Sequence, residues 1–200
     1  MKTKKELKLE KKLKKKLKKQ KNKTLNLKLS IELSEKQKEI YNWCKLENGI
    51  QYVIVSTGRQ VGKSTISTIV GLDWCLTKKN YNVGFFMPTY KQCKNIFKRY
   101  KKMLGGLIKS GFVRFVASPD LIITFSNGST IQFFTSENDN CRSFTFDSII
   151  VDEACFIKDD IWTGAIQPTV QASLSKKNEN GLEGFSGKVL IVSTPKEKNW

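Results

Sequence analysis

The sequence predicts an α/β domain, a mainly parallel sheet joined by crossover helices, with an antiparallel β insert. Three observations predict it. Tyr52 to Thr65 reads as strand, turn and helix, with Gly62-Lys63-Ser64 at the helix mouth. Short apolar runs alternate with segments of helical periodicity, the pattern of a parallel sheet crossed by helices. Between Phe112 and Ser136 that alternation gives way to three β-type runs joined by turn residues, among them Asn127-Gly128, a strong hairpin signal.

Taken in order, residues 1–24 are a low-complexity Lys-rich arm in which Leu9, Leu13 and Leu17 recur every fourth residue. That stripe is too thin to bury a helix on a core. The arm is therefore expected to be disordered alone and helical on a polyanion, or else a solvated tail. Alternating apolar residues from Leu25 to Leu33 suggest a short extended lead-in. Ser34, with Gln37 three residues on, has capping-box spacing. The helix it starts runs to about Glu47, with Ile40, Tyr41, Trp43 and Cys44 inward, and Asn48-Gly49 ends it. Tyr52 to Val55 reads as a buried parallel strand. Ile66, Ile69, Val70, Trp74 and Cys75 then recur at helical spacing, and Lys78-Lys79-Asn80 closes that helix.

Asn82 to Met87 is the next strand, stopped by Pro88. Thr89 or Tyr90 opens a basic helix to about Leu104, with Ile96, Phe97, Tyr100 and Leu104 inward. Its other face carries Lys91, Lys94, Lys98, Lys101 and Lys102, and Gly105-Gly106 ends it. The insert follows as Phe112–Val116, Leu121–Phe125 and Thr130–Phe134. A polar loop over Glu137–Ser143 leads to an apolar strand from Ser148 to Val151. Ile157 to Ser173 is helical but broken at Pro168. After a polar loop from Lys176 to Gly187, Lys188 to Val192 is the last strand.

Charge and composition bound the function. The 200 residues carry a formal charge of +18, and residues 1–30 hold fourteen Lys against Glu6 and Glu10. A cationic arm of residues 1–30 thus precedes a moderately basic domain over 31–200, and the natural partners are nucleic acid or an anionic surface. With no histidine and five cysteines without a C-x-x-C pair, zinc sites and His-based triads are not expected. There is no apolar run of membrane-spanning length and no signal-peptide core, so no membrane partner and a reducing compartment are expected.

The chemistry concentrates in two places. In the first, Gly58 and Gly62 allow a curled backbone whose N–H groups converge on an anion at a helix N-terminus. Lys63 is placed to reach the β- and γ-phosphates of ATP, and Ser64 to offer its hydroxyl to Mg²⁺. The usual spacing puts the first glycine at position 57, where Thr57 stands, with Gly58 one step late. In the second, about 90 residues on, the strand Ser148–Val151 ends in Asp152 and Glu153. Asp152 lies beside the phosphate loop if the two strands are neighbours, and there it holds the metal shell. Glu153, one residue out, polarises the attacking water as general base. Ser193-Thr194-Pro195, at the end of the last strand, offers hydroxyls to the γ-phosphate or to that water. Gln37 either caps its helix only or uses its amide to read an adenine edge.

Together these residues resemble the ATPase half of the large terminase subunit of tailed bacteriophages, over about Leu33 to Pro195. Thr57-Gly58-Arg59-Gln60-Val61-Gly62-Lys63-Ser64-Thr65 is similar to that family's deviant phosphate loop, which accounts for the displaced glycine. Val151-Asp152-Glu153-Ala154 resembles its metal and catalytic-acid motif, and Ser193-Thr194-Pro195 its coupling motif. Gln37 stands where the family has an adenine-recognising glutamine. Arg142, ten residues before Asp152, is similar in position to its arginine finger, and Arg59 would be a second cation from within the loop.

The resemblance implies a RecA-like P-loop fold with helices on both faces. It also implies ATP and Mg²⁺ as cofactors and hydrolysis that drives double-stranded DNA into a procapsid. The implied partners are a portal protein, a small terminase subunit and copies of the chain in a ring, in the cytoplasm of a bacterial host. The acidic nuclease site that the family carries has no counterpart in these residues, so no DNA cleavage is expected. The alternatives are a helicase-like nucleic-acid-dependent ATPase, and a basic nucleic-acid-binding protein with a non-hydrolysing nucleotide site.

Overall fold

The computed structural model describes residues 32–58, 60–136, 141–174 and 187–195. The Lys-rich arm, most of the alternating stretch from Leu25 and most of the polar loop from Lys176 lie outside them, as does Arg59. Within the described residues, α1 (Glu35–Cys44) opens with the capping box expected of Ser34 and Gln37. It stops three residues before Glu47. The Asn48 amide supplies the end, donating to the carbonyls of Asn42 at 2.7 Å and Trp43 at 2.8 Å. Ile40 and Cys44 face inward, whereas Trp43 stays 43% exposed.

The phosphate-loop unit folds as β1 (Tyr52–Ser56) followed by α2 (Lys63–Thr77). Helix α2 is buried nearly all round, including Ile66, Ile69, Val70, Trp74 and Cys75. The Trp74 indole donates to the Cys44 carbonyl at 2.7 Å and ties α2 to the end of α1. There follow β2 (Asn82–Met87), α3 (Tyr90–Met103, capped by Thr89) and α4 (Gly105–Lys109). Gly105-Gly106 therefore opens a short helix rather than ending the order. The Leu107 and Ile108 N–H groups both bond to the Leu104 carbonyl and restart the helix there.

The insert is β3 (Val113–Val116), β4 (Ile122–Phe125) and β5 (Thr130–Thr135). Strand β6 (Ser148–Asp152) precedes a mixed helical segment: α5 (Asp159–Ile161), a π turn over Trp162–Ile166 and α6 (Pro168–Leu174). Pro168 thus starts a helix, where its missing N–H costs nothing. The irregularity sits one turn earlier, where the Gln167 N–H reaches back to the Trp162 carbonyl. Strand β7 (Val189–Ser193) completes the sheet.

The seven strands run in the order β1-β7-β6-β2-β5-β4-β3, parallel from β1 to β5 and antiparallel beyond. Two expectations change here. Among the described residues β1 is an edge strand, not a buried one: Val53 and Val55 are covered, but Ile54 is 70% exposed. And β6 is not its neighbour, because β7 lies between them.

The core is an aromatic ladder set by register. Phe85 pairs with Phe133 and Phe86 with Phe134 across β2 and β5, with ring centroids 5.4 and 5.5 Å apart. On one face Phe97 and Tyr100 of α3 meet Phe133 edge-on. On the other, Phe86 and Phe146 join Ile149, Val151, Ala165, Ile166 and Val170. Burying each such ring stabilises the fold by about 1.5–3 kcal/mol, and the sheet ends that carry the loops are held fixed by it.

Candidate functional site

The curled loop is real, but its curl is distributed differently from the glycines. Gly62 has φ 80° and caps α2, and a Cβ there would collide with the Gln37 side chain. Gly58 has no positive φ and open space around it, and the second left-handed residue is Gln60, at φ 65°. A non-glycine residue holds that backbone at a cost of about 1–3 kcal/mol, which the surrounding loop must enforce. Among the described residues the loop places one glycine, Gly62, at a positive φ.

Lys63 is buried, and its ammonium donates to the carbonyls of Thr57 at 3.0 Å and Gly58 at 2.7 Å. It holds the loop closed on itself with the same charge that would meet an anion. Thr57 donates its N–H to the Ser193 carbonyl at 3.1 Å, so the loop also hangs on the end of β7.

Asp152 is brought to this loop although two strand widths separate β1 from β6, because α2 crosses the intervening β7 and packs on β6. Burial raises the Asp152 carboxyl above the ordinary carboxylate range; the Ser64 hydroxyl, its backbone bond from Glu153 and the Lys63 charge pull it back. Oδ1 accepts the Glu153 N–H at 3.0 Å, and Oδ2 is buried with no hydrogen-bond partner. Among the described residues only Thr57 Oγ1 and the Tyr100 hydroxyl share that condition, and Thr57 belongs to the phosphate loop itself. Buried polar atoms are nearly always satisfied, and an unpaired carboxylate oxygen at a strand end suits a water or a cation.

Those donors fit a hard cation. Among the described residues no three His, Cys, Asp or Glu side chains gather, whereas Mg²⁺ needs one or two protein oxygens and takes the rest from water and phosphate. Asp152 and Ser64 are the residues that would hold it.

Glu153 has a left-handed backbone, φ 58° and ψ 43°, and is only half-buried. Ser193 does not present a free hydroxyl. Its Oγ accepts the Cys155 N–H at 3.0 Å and leans on the Thr194 carbonyl at 3.2 Å. Ser193 thus clamps the turn after Asp152 to β7, while its carbonyl holds Thr57. Gln37 spends both ends of its amide, accepting from the Ser34 N–H and donating to the Val61 and Gly62 carbonyls at 3.3 and 3.4 Å. Arg142 is exposed in the turn before Phe144, its guanidinium passing Gly164.

The sequence reading missed two features. Arg99 of α3 donates to Thr65 Oγ1 at 3.0 Å, a contact between helices with no motif to announce it. The carboxyl edge of the sheet also opens into a cavity of about 330 Å³ lined by Pro88, Thr89, Ser136, Phe156, Lys158, Asp160 and Ile161. Only its position after two strand ends could have flagged it.

The parallel sheet, the Gly62 loop and the strand-end Asp152 define a RecA-like P-loop domain. Residues 54–176 match the family model of the terminase large subunit, T4likevirus-type, N-terminal, and the chain belongs to that family. The large terminase subunit of Thermus phage G20c is 26% identical over an alignment of 168 positions that covers 74% of this chain and 31% of that protein. The chain therefore spans about a third of the length of that relative.

Among solved structures, a variant of the large terminase ATPase domain of Thermus phage P74-26 superposes with a TM-score of 0.64 at 22% identity, over 86% of this chain and 69% of that one. The large terminase of bacteriophage HK97 gives 0.64 at 17% identity, over 82% and 33%. That of the thermophilic bacteriophage D6E, in complex with ATP-gamma-S, gives 0.57 at 17%, over 81% and 38%. At these identities the likeness speaks for the fold. No helix among the described residues is long and apolar enough to cross a membrane.

Proposed function

We propose that residues 31–200 are the ATPase domain of a DNA-packaging motor and that residues 1–30 are its basic arm. The domain binds ATP with Mg²⁺ and hydrolyses it to move double-stranded DNA into a procapsid, in the cytoplasm of a bacterial host. The observation that carries the reading is the buried, unpartnered Oδ2 of Asp152 at the end of β6, the strand on which α2, opening with Lys63 and Ser64, packs.

Roles follow from placement. The backbone of Thr57 to Thr65 receives the phosphates. Lys63 exchanges the Thr57 and Gly58 carbonyls for phosphate oxygens, gaining anionic acceptors in place of neutral ones. Asp152 and Ser64 hold Mg²⁺, which when bound neutralises charge on the β- and γ-oxygens. Glu153, turned out of the strand line, takes the proton of the attacking water. Arg142, exposed in the segment before β6, is suited to a nucleotide held by an adjacent copy in a ring. Arg59 would be a cation from within the loop. Gln37 must release the Val61 and Gly62 carbonyls to reach an adenine, so its two roles alternate. Ser193 and Thr194 transmit movement between the loop and the turn after Asp152. A portal protein and a small terminase subunit are the expected docking partners.

The test is phosphate release from ATP with and without duplex DNA and Mg²⁺. Metal-dependent turnover supports the reading. Duplex DNA bound without any nucleotide affinity would leave a basic nucleic-acid-binding protein instead.

A further inference from the structure

Between Asp73 and Asp120 the sequence holds ten Lys or Arg and no carboxylate. Five of the ten, Lys91, Lys94, Lys98, Lys101 and Lys102, are exposed on α3. At about 100° per residue they fall within an arc of about 100°. That arc lies opposite the buried Cys93, Ile96, Phe97 and Tyr100. Lys94 and Lys98, and Lys98 and Lys102, are like charges one turn apart, and each such pair costs a helix about 0.2–0.5 kcal/mol. The first turn is basic rather than acidic, against the helix dipole. Among the described residues no carboxylate forms an ion pair with any of the five.

A face made only for solubility would mix its signs and avoid these penalties. A row of one sign is repaid by a partner with a row of the other. From Lys91 to Lys102 the row is about 16 Å long, the axial advance of about five nucleotides of one duplex strand.

The row is also tied to the phosphate loop. Arg99, on its flank, donates to Thr65 Oγ1 at 3.0 Å. Thr65 follows Ser64 in the first turn of α2 and donates its N–H to the Gly62 carbonyl. A phosphate group drawn into that turn disturbs the acceptor that holds Arg99, and a polyanion on α3 competes for the same guanidinium.

We infer that the lysine face of α3 docks the phosphate backbone of duplex DNA and that Arg99 links this surface to the nucleotide loop. The choice of duplex DNA rests on the packaging reading above. By linkage, nucleotide then changes DNA affinity and DNA changes nucleotide affinity by the same factor.

The experiment is fluorescence anisotropy of a labelled duplex of about 30 base pairs with the full chain, from about 0.05 to 0.3 M salt, with and without ATP-gamma-S and Mg²⁺. Changing Lys91, Lys94, Lys98 and Lys102 to Gln is expected to lower the log–log salt slope by about 3–4. Changing the exposed Lys36, Lys38, Lys78 and Lys79 to Gln removes the same charge elsewhere and is expected to lower it by less than about 1. Equal slopes for the two variants would overturn the α3 surface. The α3 variant also relieves the like-charge pairs, so its melting temperature at low salt is expected to match or exceed the parent's.

For the link, nucleotide is expected to shift the parent's DNA affinity by about fivefold or more, and Arg99→Gln to shrink that shift below about twofold while DNA still binds. A shift unchanged by Arg99→Gln, or absent from the parent, would overturn the link. A parent that hydrolyses ATP yet binds no duplex would sink the packaging reading itself, an outcome distinct from equal slopes in a parent that binds.

Discussion

Glu153 donates its backbone N–H to Asp152 Oδ1 at 3.0 Å, and it does so from a left-handed backbone. Two consequences follow from this one bond. Asp152 is fixed at the strand end with its other oxygen buried and unpaired. Glu153, its neighbour in sequence, is swung out of the pleat, so the two carboxylates serve different places. Non-glycine residues in this backbone region carry about 1–3 kcal/mol of strain, which persists at functional sites because the surroundings enforce it.

The first prediction tests that division. Glu153→Gln is expected to keep its affinity for ATP-gamma-S and lose turnover by about 10²–10⁴-fold, the usual contribution of a positioned base. Glu153→Gly is expected to be equally inactive and yet to melt higher, by about 1 kcal/mol of relieved strain. Phosphate release and thermal melting measure the two. Normal turnover by the Gln variant would remove Glu153 as the base.

Lys63 gives the second. Its two loop carbonyls are weak partners for a buried cation, and a triphosphate is a better one. Lys63→Ala is expected to lower nucleotide affinity by about 30–1000-fold, the effect of truncating one member of a buried charge pair. Asp152→Asn is expected to keep weak nucleotide binding but lose its dependence on Mg²⁺. Calorimetric titration with and without the metal separates the two variants, and a Mg²⁺ dependence surviving in Asp152→Asn would place the metal elsewhere.

Much of this was legible in the residues because short-range rules govern it. The capping box at Ser34 and Gln37, the Thr89 cap, the Asn127-Gly128 turn and the buried stripes of α2 and α3 depend on neighbours within a few positions. Strand order does not. Tyr52-Val53-Ile54-Val55 is apolar throughout, like a central strand, yet among the described residues β1 is an edge, with β7, some 135 residues later, on one side of it. The same distance hid β7 between β1 and β6. In the site, the residue types were readable but their present bonds were not. The Ser193 hydroxyl and the Gln37 amide are both occupied by backbone groups from distant segments, and Arg99 reaches Thr65 across two helices whose contact no local pattern encodes.

The basic arm supplies a third prediction. Residues 1–24 carry thirteen Lys and two Glu. Deleting them is expected to flatten the salt dependence of duplex affinity, since each neutralised phosphate adds about 0.9 to the slope, while nucleotide affinity stays within about twofold. Anisotropy titrations of the shortened chain over a salt series provide the measurement. A slope that does not move would make the arm a bystander to DNA binding.

The fourth prediction concerns pH and lies away from the site. Asp73 of α2 accepts the Tyr41 hydroxyl of α1 at 3.0 Å. Burial, the largest influence, raises the Asp73 carboxyl above its ordinary range; the Tyr41 bond opposes it and Glu47 adds to it. Burial and the Asp73 charge push the Tyr41 phenol up to about 12, so it stays a donor at any ordinary pH. The folded chain thus holds the Asp73 proton to higher pH than the unfolded chain does. Stability contributed by this group is full below the unfolded value and falls as pH climbs to the raised one.

Tyr41→Phe removes the bond that favours the ionised form. It is expected to lower the melting temperature more at pH 7 than at about pH 2.5, well below the unfolded Asp value of about 3.9, where the carboxyl is protonated in both states. Asp73→Asn keeps an acceptor for Tyr41 without the charge, so it is expected to raise the melting temperature at pH 7 and flatten its pH dependence. Melting curves of the three proteins at constant ionic strength decide it. An equal loss for Tyr41→Phe at both pH values would mean that the phenol acts by packing alone, and that the α1–α2 junction is held by the Trp74 bond to Cys44 rather than by this pair.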